Sequence, residues 1–144
     1  MARDTFASLF DLLPIGAYRS TPDGRQLRAN AALVRLNGYG SEAVMLAAVN
    51  DIAREWYVAP HRRVEFCEAM QRDGYVSDFI SEIYRHRTRE RIWVREHAHV
   101  VTDLLTGEPF YEGTVEDITR QRRAELALLA SERRFRAFTE RSQL

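Results

Sequence analysis

Glu112-Gly113-Thr114-Val115-Glu116-Asp117-Ile118-Thr119 decides how this chain folds, because a strand pattern stops there and a helix pattern begins with no loop between. Upstream, Phe110-Tyr111-Glu112-Gly113-Thr114-Val115 mixes aromatic and β-branched residues with polar ones, which suits a half-buried strand. Downstream, Arg120 to Glu140 contains no Gly or Pro and reads as continuous helix. Asp117 and Thr119 carry side-chain oxygens that accept the unpaired N–H groups of a helix's first turn, so the join is predicted to be capped and stiff.

Two more strands precede this one. Tyr75 to Arg85, Arg91 to Thr102 and Pro109 to Ile118 are separated by polar turns at Thr88 to Glu90 and Thr106 to Glu108, giving an antiparallel meander. In the first, Phe79 and Ile83 are predicted to face inward with Ser81 between them, while Asp78 and Glu82 face water. In the second, Ile92, Val94, Ala98 and Val100 share one face, which Glu96 interrupts.

Further upstream the period changes. Phe6, Leu9, Phe10 and Leu13 fall at helical spacing, predicting a short amphipathic helix over Thr5 to Leu13 that Pro14 ends. Ile15 to Ser20 and Gln26 to Ala29 are predicted to form a hairpin around Thr21-Pro22-Asp23-Gly24. Asn30 and Ser41 are placed to cap two short helices, with Gly38 supplying a left-handed end between them. Asp51 to Trp56 reads as one turn more, and Pro60 suits the first position of a helix reaching about Arg72. The fold class is therefore α+β, with a five-stranded antiparallel sheet, short helices on one face, an N-terminal amphipathic helix and a C-terminal linker helix.

At 144 residues, 45% hydrophobic and 29% charged, the chain has room for one core and a helical extension. The 21 basic residues, all Arg, balance 21 acidic ones, which argues against a general polyanion binder. Cys67 is the only cysteine, so an intrachain disulfide and a four-thiolate metal site are excluded. No apolar run approaches the roughly 20 residues needed to span a bilayer. A cytoplasmic piece is expected, without direct membrane insertion, from a parent able to carry an anchor elsewhere.

Several motifs now align. Leu13-Pro14-Ile15-Gly16, Pro22-Asp23-Gly24, Asn30-Ala31-Ala32, Leu36-Asn37-Gly38-Tyr39, Ile92-Trp93-Val94, Thr106-Gly107-Glu108 and Tyr111 to Thr119 occur in order across almost the whole chain. In these the sequence resembles a Per-Arnt-Sim (PAS) domain of a bacterial sensor protein. It departs from that pattern between the last strands but one, where Thr88-Arg89-Glu90 replaces the usual Asp-Gly turn. The resemblance implies a domain over residues 1–119 and a signalling helix over 120–144. Ser131 to Phe138 resembles the helix that opens a following PAS domain in tandem sensors. On that helix Ala124, Leu128, Ser131, Phe135 and Phe138 alternate steps of four and three, the seam of a parallel coiled coil, and Leu126 and Leu129 are expected to broaden the stripe, with packing back against the domain as the alternative.

Chemistry of its own is not expected. No nucleophile elbow or phosphate-cradling glycine cluster is present. PAS domains of other sensors hold flavin, haem or metabolites between sheet and helices. Cys67 lacks the motif of the light-sensing flavin members, and His61 lies near the start of the helix that carries the haem ligand in haem members, so both cofactors are disfavoured and the ligand is left unknown. His97 and His99 share a strand face, which is half a metal site without an obvious carboxylate, and no metal is expected. Arg85, His86, Arg87, Arg89 and Arg91 lack the interleaved aromatic residues of a base-stacking surface, so no nucleic acid is expected either. Candidate pocket residues are Leu33, Leu36, Ile52, Phe66, Met70, Phe79, Ile83, Val94, Ala98 and Val115. Asp117, Ile118 and Thr119 are the candidates for signal transmission. Phe6, Leu9, Phe10, Leu13 and Leu128 are the candidates for homodimerisation.

The resemblance thus implies a non-enzymatic sensory and dimerisation module, with room in the family's pattern for a small molecule, that passes its signal to downstream domains of the same chain. A sensor histidine kinase is the expected parent. The alternatives are the input domain of a diguanylate cyclase or phosphodiesterase, and a ligand-free spacer that only dimerises.

Overall fold

The computed structural model describes residues 9–142. Strands β1 (Gly16–Ser20) and β2 (Gln26–Ala29) lead into helices α1 (Ala31–Leu36), α2 (Glu42–Ala48), α3 (Ile52–Glu55) and α4 (Arg62–Asp73). Strands β3 (Tyr75–Tyr84), β4 (Arg91–Thr102) and β5 (Pro109–Asp117) follow, and α5 (Thr119–Ser142) leaves the domain. The sheet runs β2-β1-β5-β4-β3, every neighbouring pair antiparallel. Both ends of the domain segment thus meet at the sheet centre, where Gly16 lies opposite Val115.

The predicted caps of α1 and α2 are present. Asn30 accepts the Leu33 N–H and also the Ala17 N–H at 2.8 Å, while its amide donates to the Phe10 and Ile15 carbonyls. One side chain therefore fixes α1 to β1 and to the incoming chain. Ser41 accepts the Val44 N–H, and Gly38 takes the expected left-handed φ of 83°. Pro60 differs from expectation. The Arg62 N–H bonds the Ala59 carbonyl in a single turn, so the helix proper starts two residues later, with His61 exposed at its N-cap and making no side-chain cap bond.

On the inner face, β3 contributes Val76, then a bulge at Ser77 and Asp78, then Phe79, Ser81 and Ile83. Tyr18, Leu33, Ile52, Phe66, Met70, Ile83, Val94, Ala98 and Val115 belong to one buried apolar cluster between sheet and helices. Residues 9–12 are helical, with Leu9 exposed, Phe10 half-buried under the Arg28 guanidinium at 4.9 Å, and Leu13 half-buried. Phe6 lies outside the described residues, as does the start of its predicted helix. No described helix is long and apolar enough to cross a membrane.

Helix α5, 24 residues and about 36 Å long, touches the sheet near its first turn, where Arg122 stacks on Trp93 at 4.5 Å. At about 100° per residue, the sector of Ala124, Leu128, Ser131, Phe135 and Phe138 is about 80° wide, and Arg122, Leu126 and Leu129 lie roughly 140–160° from its middle. Leu126 and Leu129 therefore do not broaden the seam. They continue the side of the helix that Arg122 turns toward the domain.

Candidate functional site

The residue that interrupts the apolar face of β4 lies at the centre of the core. Glu96 is 1% exposed, and its two oxygens each accept a phenol at 3.0 Å, Oε2 from Tyr18 on β1 and Oε1 from Tyr57 in the segment joining α3 to α4. Buried Arg63 lies over the rings of Phe66 and Tyr111, at 5.1 and 5.8 Å, and reaches the Thr21 carbonyl through a long 3.4 Å bond. Burial lifts the Glu96 carboxyl above its ordinary range, against the lowering effect of the two phenols and Arg63. Burial, and then the charge of Glu96, push the Tyr18 and Tyr57 phenols well above theirs. Room for this cluster depends on Gly113, opposite Ala98, because a Cβ there would stand 2.6 Å from the His97 carbonyl and 2.9 Å from the Tyr18 hydroxyl.

Tyrosine titration reads this arrangement directly. Monitored by ultraviolet absorbance in the folded domain, two of the six tyrosines, Tyr18 and Tyr57, should stay protonated well beyond the ordinary phenol range. Six tyrosines titrating together below the unfolding pH would overturn it.

The second constellation is the junction. Asp117 Oδ1 accepts the Thr119 N–H at 2.9 Å and the Thr119 hydroxyl at 2.5 Å. The Thr119 hydroxyl also accepts the Trp93 N–H at 2.9 Å, and the Ile118 N–H bonds the Trp93 carbonyl at 2.8 Å. Capping is thus done by Asp117, whereas Thr119, expected to cap, ties the helix start to β4. Trp93 is three residues from Glu96 on the same strand, so the core carboxylate and the exit helix share one rigid element.

No protein-family model matches the sequence, and no curated protein matches it significantly. Solved structures do match the fold. A PAS domain from a two-component sensor histidine kinase superposes with a TM-score of 0.66 at 13% identity, over 81% of this chain and 96% of that one. The PAS domain of a protein from Colwellia psychrerythraea gives 0.68 at 17% identity, over 83% and 99%. An RNA-binding light-oxygen-voltage receptor gives 0.69 at 20% identity, over 90% of this chain and 38% of the receptor. The chain has the PAS fold.

Within this fold, eight of the ten candidate pocket residues are buried, and Leu36 and Phe79 are partly buried against them. An open groove of about 570 Å³ runs between α4 and β3, and of the ten only Phe79 lines it. Cys67 is half-buried with its sulfur 3.9 Å from the Pro22 carbonyl.

The basic turn is more than a solvated loop. Arg85 bonds the Leu36 carbonyl at 2.6 Å, and Arg89 the Glu55 carbonyl at 2.7 Å. His86 lies between Tyr39 and Glu55, each at 2.6 Å, and its N–H bonds Asn37 Oδ1, which also accepts the Trp56 indole. These charges clasp α1 and α3 to the β3–β4 turn, where Arg89 takes a φ of 63° in place of the usual glycine. No local pattern marks these contacts, because the partners lie 31 to 49 positions away.

The strand histidines acquire a carboxylate neighbour that spacing did not reveal. The β3 bulge brings Asp78 to 3.6 Å from His97 Nε2, while the Asp78 N–H donates to His97 Nδ1. With Nδ1 held as acceptor, neutral His97 carries its proton on Nε2 and has no free lone pair there for a metal. Among the described residues no three potential ligands converge.

Proposed function

We propose that this PAS domain is the sensory input and dimerisation module of a multidomain bacterial sensor protein with a histidine kinase output. In this reading a signal enters among the helices α1–α4 and the inner sheet face, and leaves through β4, β5 and α5. The observation that carries it is the join at Asp117 to Thr119, whose bonds to Trp93 leave the start of α5 unable to move separately from β4. Each lost cap or anchor costs about 0.5–2 kcal/mol, less than the domain's stability but comparable with allosteric coupling energies of about 1–3 kcal/mol.

In the full-length parent, Asp117→Ala and Thr119→Ala should therefore leave the domain folded by circular dichroism while changing kinase output or its response to signal. If both variants regulate like wild type, transmission through the join is wrong. A ligand-free spacer is the second reading, favoured by the Glu96 network and the packed aromatic rings that occupy the core. Native mass spectrometry separates the two, since a retained small molecule supports sensing and a bare chain with an unchanged dimer supports the spacer.

A further inference from the structure

Two arginines on the outer face of the sheet each hold a donor that nothing in the domain accepts. Arg95 follows Trp93 by two residues on β4, so both side chains stand on the same face. Arg122, in the first turn of α5, lies over the Trp93 ring at 4.5 Å. Among the described residues, the Nε of each arginine is buried without a hydrogen-bond partner. A guanidinium N–H shut off from water costs free energy until an acceptor reaches it. Asp78 and Glu116 come to 3.4 and 3.5 Å from Arg95, ion pairs that hold the guanidinium in place while its Nε–H stays unbonded.

We propose that Arg95 and Arg122 form a carboxylate-binding site beside Trp93, filled by an acidic segment of a partner protein. Two guanidinium forks on neighbouring elements suit an oxyanion that accepts from both at once. Asp78 and Glu116 beside Arg95 favour a singly charged group over a phosphate, whose second charge they repel. The face is open, so a small free ion keeps most of its water, whereas a chain segment adds contacts along β4. Arg91, exposed and two residues before Trp93 on the same face, extends the positive strip to a second carboxylate of that segment. Arg122 already occupies the Trp93 ring, so a stacked base is not the occupant. Because Arg95 belongs to β4 and Arg122 to α5, one bound carboxylate bridges the strand and the helix that Thr119 ties together. The site goes beyond the sensory reading above, and its binding test does not depend on it.

The test titrates the 144-residue chain with a synthetic peptide of alternating glutamate and serine, followed by Trp93 emission and by calorimetry. Saturable binding is expected, with inorganic phosphate and phosphatidylglycerol vesicles bound about tenfold more weakly. Arg95→Gln and Arg122→Gln should each weaken the peptide about tenfold. Arg122→Lys keeps the charge but loses the Nε–H, and should weaken it about fivefold. Arg25→Gln removes the same charge from the exposed β1–β2 turn and should leave the affinity within about twofold. No binding, wild-type affinity in Arg122→Lys, or an equal loss in Arg25→Gln would overturn the site. Tighter binding of phosphate or of the vesicles than of the peptide would overturn the acidic segment as its occupant.

Discussion

Glu96→Ala should lower the unfolding free energy by about 3–5 kcal/mol, a loss measurable by urea denaturation. The substitution leaves the Tyr18 and Tyr57 hydroxyls buried without their acceptor, at about 1–3 kcal/mol each, and opens a void beside Ala98 and Gly113. Removal of a buried carboxylate offsets part of this. Glu96→Gln keeps the volume and one carbonyl acceptor, so its loss should be smaller, and its pH dependence is the more informative. Because burial raises the Glu96 pKa, the folded state binds this proton more tightly than the unfolded chain does. The associated stability is full below the unfolded carboxyl value of about 4.3 and is lost as pH rises through the folded value. Wild type should therefore lose stability relative to Glu96→Gln as pH rises above the unfolded carboxyl value of about 4.3. A parallel pH profile for the two proteins, or a loss below about 1 kcal/mol in Glu96→Ala, would remove the network from the core's energetics.

Phe66→Ala should cost a comparable amount, about 3–5 kcal/mol. Its ring is fully buried, meets Phe79 and Tyr111 edge-on at 5.5 and 5.8 Å, and carries the Arg63 guanidinium above it. Removing it deletes apolar contacts and leaves a buried cation over an empty space. Phe79→Ala should cost less, since Phe79 is only half-buried and part of its ring is covered by the mobile-stemmed Arg62 at 3.6 Å rather than by the core. Equal losses for the two variants, measured by the same denaturation, would mean that the groove beside Phe79 is closed in solution.

The strands were legible because alternation and β-branched residues report a pleated, half-buried surface locally, and the caps at Asn30 and Ser41 were legible because each acts within a few residues of itself. Contacts across the sheet were not. Glu96 stood out as a break in the apolar face, but its partners are 78 and 39 positions away, and nothing local to either tyrosine marks it as a donor to that carboxylate. Thr119 was misassigned for the same reason, since a capping role is a local pattern while its bond to Trp93 spans 26 positions. Leu126 and Leu129 were a failure of angle, because residues one or two apart on a helix do not share a side.

The bulge in β3 has a bearing on solubility. β3 is the long outer strand of the sheet, ten residues with one side open to any strand that approaches. Asp78, at φ 51°, breaks the flat run in its first half and sets a carboxylate there, while Arg62 occupies the Ile80 carbonyl and Tyr57 bridges Ile83 in the second half. An incoming strand finds neither a straight ladder of free amides nor an uncharged edge. The same distortion that positions His97 thus guards the domain against edge-to-edge aggregation.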